Sequence, residues 1–130
     1  MNKIGLFFGT FNPVHHGHMM IANFIREYTD INEVWFIITP QSPFKNKESL
    51  LPDRDRLHLV NLAINKEYKF KASDIEFYLP KPNYTVNTLK YLKEKFNNKE
   101  FVLIMGGDNL KHLHKWYNID KIIEDYQIYV

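Results

Sequence analysis

The order of elements in this sequence predicts an α/β fold: a parallel sheet of about five strands with flanking helices. Short apolar runs alternate along the chain with amphipathic stretches of helical period, and turn-forming residues separate the two kinds. Parallel strands need crossover connections, and the amphipathic stretches supply them. Composition agrees with a globular domain, at 45% hydrophobic and 25% charged. The length of 130 residues suits a single domain able to bury a sizeable core.

The first run, Lys3 to Phe8, carries Ile4, Leu6, Phe7 and Phe8 and reads as a buried strand. Gly9 and Pro13 then turn the chain. Met20, Ile21, Phe24, Ile25 and Tyr28 recur at helical spacing from about Gly17. Glu33 to Thr39 is a second buried strand, and residues 40 to 51 form a loop holding Lys45 and Lys47. Pro52 and Asp53 open a second helix with an apolar face of Leu57, Val60, Ala63 and Ile64. Ile75 to Leu79 is predicted as the third strand. A helix over Thr85 to Phe96 follows, then a strand over Glu100 to Met105. Short helices are expected at Asn109 to His114 and Ile119 to Asp125, and a fifth strand from Gln127.

Several function classes lose ground on these numbers. No cysteine is present, which removes disulfides and cysteine metal sites and makes the cytoplasm the natural compartment. No signal peptide and no membrane-spanning run is evident. A net charge of +2 is low for a duplex-binding domain, so neither nucleic acid nor membrane is an expected partner. In a parallel sheet the ligand sits beyond the carboxyl ends of the strands, near the switch in strand order. The segments Gly9–His18, Thr39–Lys45 and Gly106–Asp108 all follow strands, so they are expected to converge on one rim.

The strand–turn–helix unit at Lys3 to Tyr28 is the strongest local signal. Gly9 lets backbone approach a ligand without an intervening Cβ. A helix opening near Gly17 offers unpaired N–H groups to an anion. His15 and His18, three apart, lie on one side of a first turn. From there two imidazoles can donate to a phosphate gaining charge in a transition state. A packed or capping histidine beside a solvated one is the structural alternative. Zinc is a further one, with no third ligand evident at helical spacing.

The string Gly9-Thr10-Phe11-x-Pro13-x-His15-x-Gly17-His18 resembles the signature of the nucleotidylyltransferase superfamily, whose members share a Rossmann-like fold and a His-x-Gly-His motif. Asn83-Tyr84-Thr85-Val86-Asn87-Thr88-Leu89 is similar to the Ser-Tyr-Thr-x-Asp-Thr-Leu stretch of bacterial nicotinate-nucleotide adenylyltransferases. Ile104 to Leu110, with Leu113 and Trp116-Tyr117, is similar to their Gly-x-Asp…Trp segment. The resemblance spans essentially the whole chain, with its motifs in the family's order. Phe8 and Asn12 depart from it, standing where glycine and aspartate are common.

The resemblance implies transfer of the adenylyl group of ATP to nicotinate mononucleotide, giving deamido-NAD and pyrophosphate. It implies His15 and His18 as catalytic residues, and Gly9, Thr10, Phe11, Gly106 and Asp108 at ATP and its phosphates. It implies Lys45, Thr85, Trp116 and Tyr117 at the mononucleotide, and Mg²⁺ carried by ATP rather than by a protein cage. A homo-oligomer stays open. Arg54 and Arg56 read as salt-bridged or solvated, and His16, His58, His112 and His114 as structural or exposed.

In the family the chain continues beyond the fifth strand to an Ile-Ser-Ser-Thr-x-Ile-Arg type motif that binds the triphosphate. The expectation is therefore one nucleotidyltransferase domain, residues 1–130, shortened at its C-terminus and with reduced or no turnover. The rival readings are a phosphopantetheine adenylyltransferase, a glycerol-phosphate cytidylyltransferase, or a non-catalytic nucleotide-binding fragment.

Overall fold

The computed structural model describes residues 2–40, 51–65, 69–81, 83–105 and 116–130. Five strands form one sheet: β1 (Asn2–Gly9), β2 (Glu33–Ile38), β3 (Phe70–Ser73), β4 (Lys99–Ile104) and β5 (Gln127–Tyr129). Their order is β3-β2-β1-β4-β5, and every pairing is parallel. Among the described residues four α-helices accompany them: α1 (His16–Tyr28), α2 (Asp53–Ile64), α3 (Thr85–Lys95) and α4 (Ile119–Asp125).

The two faces of the sheet explain the unbroken apolar runs. Successive side chains point to opposite faces, and both faces are covered, so neither can be polar. Phe7, Val34, Phe36, Ile38, Val102 and Ile104 face a core shared with Ala22 and Ile25 of α1 and Val60 and Ile64 of α2. Ile4, Leu6, Trp35, Ile37 and Leu103 face the other core, with Val86, Leu89 and Leu92 of α3 and Ile122 of α4.

The third strand corrects the sequence reading. Ile75–Tyr78 is a turn of 3-10 helix, and the strand lies earlier, at Phe70–Ser73. The apolar alternation of Ile75 and Phe77 is real, but it serves a different purpose. Ile75 packs on one core and Phe77 on the other, because the turn wraps the end of the sheet. Ala63 is also exposed. The buried row of α2 is Arg56, Val60 and Ile64. The expected helix at Asn109 to His114 lies outside the described residues.

Gly5, inside β1, sits where neighbouring side chains leave no room for a Cβ. A methyl added there would come within 2.4 Å of Ile104 Cδ1 and 3.3 Å of Ile31 Cγ2. Ile104 is 2% exposed, so its side chain has little room to turn away. Gly5→Ala is expected to destabilise by about 1–3 kcal/mol, the usual cost of overpacking. A lower urea midpoint at unchanged slope would register it.

Candidate active site

The site is built at the carboxyl ends of the central strands. β1 lies between β2 and β4, and the connections leaving β1 diverge from those leaving β4, which makes this the switch point of the sheet. Beyond β1 the chain folds back on itself at Phe11, whose φ of 48° is left-handed. For an aromatic residue that conformation is strained, and ring packing compensates. The Phe11 ring is 2% exposed and meets Phe7 edge-on at 5.5 Å and His18 at 4.9 Å. It also fills the space a Gly9 side chain would need, coming within 3.2 Å of a Cβ built there. Gly9 therefore makes room for Phe11, and Phe11 can offer a ligand only backbone.

Helix α1 starts with a reciprocal cap made by the two histidines. His15 is the N-cap, and its Nδ1 accepts from Gly17 N–H at 3.0 Å. His18 Nδ1 accepts from His15 N–H at 3.1 Å. This is the capping-box geometry usually made by a hydroxyl and a carboxylate or amide. The rings stack 3.8 Å apart at 22°. With Nδ1 accepting in both rings, each neutral imidazole carries its proton on Nε2 as a donor.

Gly17 is part of the same device. A methyl there would stand 2.9 Å from His15 Cε1 and 3.0 Å from its Nδ1. Helix propensity alone favours alanine over glycine by about 1 kcal/mol. Losing the cap costs about 0.5–2 kcal/mol, and the stacked ring must move as well. Gly17→Ala is therefore expected to lower the melting temperature, whereas propensity alone would raise it.

Two strand ends are joined by backbone and by Arg56. Thr39 N–H donates to Gly9 O at 2.8 Å. Arg56 is fully buried, and all five of its N–H donors find acceptors. Nε donates to Leu51 O at 3.0 Å, and Nη1 donates to both Thr10 O and Thr39 O at 2.8 Å. Nη2 donates to Pro40 O at 3.4 Å and to the Asp53 carboxylate. The solvated alternative for Arg56 is thus overturned. Its helical spacing to Val60 and Ile64 was the available signal, since a residue on the apolar row of a helix is buried whatever its charge. Arg54 does face solvent, bonded to Tyr78 Oη at 3.2 Å.

A second buried ionisable side chain was missed. Glu76 is 1% exposed. Its carboxylate accepts from Thr39 Oγ1 at 2.7 Å and from Thr88 Oγ1 of α3. Burial pushes its carboxyl up from the ordinary range, and the two hydroxyl donors oppose that. The sequence gives little warning, because Glu76 lies in the segment that imitates a strand.

Of the other predicted site residues, Thr10 is buried beside Phe11. Thr85 opens α3, and its neighbour Tyr84 stands 4.7 Å from the ring of Tyr117. Trp116 is partly buried against the core beneath α3. Lys45, Gly106 and Asp108 lie outside the described residues, so convergence of the three loops is visible only for Gly9–His18 and for Thr39 and Pro40. His16 and His58 are exposed. Among the described residues no cluster of His, Asp or Glu gathers to hold a metal ion, and no helix is long and apolar enough to cross a membrane.

Comparisons with known proteins bear on the family and the fold. The family model described as cytidylyltransferase-like matches residues 6–130. A Flavobacterium psychrophilum protein named "Probable nicotinate-nucleotide adenylyltransferase" is 59% identical over 98% of this chain and 66% of its own length. A Bacteroides fragilis protein of the same name is 45% identical over 98% of this chain and 64% of its own. The chain thus spans about two thirds of the length of these curated relatives. Among solved structures, a Plasmodium falciparum nicotinic acid mononucleotide adenylyltransferase complexed with NaAD superposes with a TM-score of 0.80. It is 19% identical, and the match covers 99% of this chain and 74% of that one. At that identity the likeness establishes the fold, a Rossmann-like α/β sheet. Fold, motif order and matched length lead to one conclusion: the chain belongs to the cytidylyltransferase-like family.

Proposed function

We propose that this chain carries the catalytic core for transfer of the adenylyl group of ATP to nicotinate mononucleotide, giving deamido-NAD and pyrophosphate in NAD biosynthesis. The observation that carries the reading is the pair of stacked imidazoles capping α1 beyond the central strand. Both present Nε2–H donors at a helix N-terminus, where negative charge is already favoured. An oxygen of the mononucleotide phosphate attacks the α-phosphorus of ATP. The bond from that phosphorus to the bridging oxygen breaks, and pyrophosphate leaves. The nucleophile is already anionic and needs no general base, so positioning and charge stabilisation do the catalysis.

In this reading His15 and His18 donate to the oxygens of the transferring phosphoryl group. Backbone from Gly9 to Phe11 borders the phosphates, and Gly106 and Asp108 lie by the adenosine. Thr85, Trp116 and Tyr117 hold the pyridine end, and Lys45 meets the mononucleotide phosphate. Mg²⁺ would accompany ATP, held by phosphate oxygens and water rather than by a protein cage. The described residues suit that arrangement, since both Nδ1 atoms already bond to backbone. When bound, the ion screens phosphate charge. The substrates imply a cytoplasmic setting.

The test is pyrophosphate release with mass detection of deamido-NAD, using ATP with nicotinate mononucleotide, nicotinamide mononucleotide or phosphopantetheine, and CTP with glycerol phosphate. The same assay is run on a version extended to the relatives' full length. Deamido-NAD from either version supports the reading. Product only from phosphopantetheine or glycerol phosphate would replace it with a rival. ATP binding with no pyrophosphate from either version would leave a nucleotide-binding module.

A further inference from the structure

We propose that Glu76 is a positioning residue, whose carboxylate clamps Thr39 at the end of β2 to Thr88 in the first turn of α3 and so sets where the mononucleotide end of the site stands relative to its phosphate end. The inference rests on the function proposed above.

A buried carboxylate is a costly way to fill space, and an apolar side chain of similar volume would be cheaper. What the carboxylate adds is direction. Each of its two oxygens accepts from one threonine hydroxyl, which fixes both threonines in rotamer and place. One of its anchors is already rigid. Thr39 gives its N–H to Gly9 O and receives Arg56 Nη1 at its own carbonyl, while Arg56 also holds Thr10 O. The hydroxyl of Thr39 therefore stands at a fixed place relative to the turn after β1.

The other anchor is the start of α3. Thr88 lies three residues after Thr85, on the same side of the helix. The backbone of Glu76 makes a second attachment to that segment, since Asn83 Nδ2 donates to Glu76 O at 3.1 Å and to Pro80 O at 3.3 Å. Tyr84, between Asn83 and Thr85, leans on Tyr117. Side chain and main chain of one residue thus tie down both ends of the segment that presents Thr85. The Glu76 side chain bonds both the end of β2 and α3.

The experiment measures nicotinate mononucleotide and ATP binding separately by calorimetry, for the unaltered chain and for Thr88→Val, Thr88→Ser, Thr39→Val and Thr39→Ser. Each valine keeps the shape and loses the donor, and each serine keeps the donor. The valine variants are expected to bind the mononucleotide roughly tenfold more weakly, the scale of one hydrogen bond to a charged group, with ATP affinity held and serine restoring the loss. Equal weakening of both ligands, no weakening, or failure of serine to restore would overturn the proposal. If neither the unaltered chain nor its version extended to the relatives' full length binds mononucleotide, the functional reading fails on its own. The clamp is then judged by amide exchange at Asn87 and Thr88, expected to speed up in the valine variants and recover with serine. Unchanged exchange there would overturn it.

Discussion

Arg56→Met is expected to lower the free energy of unfolding by about 3–5 kcal/mol, the cost of leaving several buried or half-buried main-chain carbonyls without a donor. Set against the roughly 5–15 kcal/mol that holds a typical domain together, that loss is severe. Two effects compete. Replacing a complete buried ion pair by apolar groups is often neutral, because desolvation cancels attraction. Here the cancellation fails, because four of the five acceptors are main-chain carbonyls of Leu51, Thr10, Thr39 and Pro40. No side-chain substitution removes those carbonyls along with the arginine. Arg56→Lys should recover only part of the loss, since an ammonium has three donors and no planar fork. Urea titration followed by circular dichroism reads both variants. A loss under about 1 kcal/mol for methionine would mean that water satisfies the carbonyls.

The second large effect is on turnover. Removing the His18 imidazole is expected to reduce kcat by roughly 10²–10³, the range found when one donor to a developing oxyanion is lost. KM for both substrates should change little, because the bond strengthens only in the transition state. The reciprocal cap offers a cleaner version than alanine. Asparagine is a good N-cap residue, and glutamine serves at the third position of a capping box. His15→Asn and His18→Gln should hold the start of α1 while replacing the imidazole Nε2–H donors with amide N–H donors placed differently. The expected result is a near-native melting curve with turnover down by a similar factor. Turnover near that of the unaltered protein in both variants would show that the imidazoles only cap the helix. The measurement is made on whichever version of the chain releases pyrophosphate.

Much of this was legible in the sequence because two faces of one sheet impose a strict pattern. β1, β2 and β4 announce themselves by apolar runs, since the middle of a doubly covered strand is buried on both faces. β3 did not. Phe-Lys-Ala-Ser at the sheet edge has one fully buried residue and no β-branched side chain, while Ile75 and Phe77 alternate as a strand would. Periodicity reports which side chains are apolar, and a 3-10 turn can half-bury two of them on opposite faces of the sheet. At the site, His15 and His18 were legible as a pair, since spacing on a first turn is local geometry. Their mutual capping was not, because histidine is an unusual member of a capping box. Arg56 and Glu76 escaped for a shared reason. Their value lies in partners far along the chain, and a charged residue is read as exposed until those partners are known.

The order β3-β2-β1-β4-β5 also has a consequence for how the protein forms. No two strands adjacent in space are joined by a hairpin, and β1 meets β4 through Asn2 with Lys99 and Phe7 with Ile104. Loop closure over such separations is slow and must be met before the contacts repay it. The rim that carries the histidines cannot take its final shape until the last quarter of the chain has docked beside the first strand. On a ribosome the helix of His15 and His18 emerges early and waits, with the apolar side of its strand exposed. Synthesis of this protein therefore passes through a long interval in which its site is written but not yet assembled, and in which a chaperone would find it.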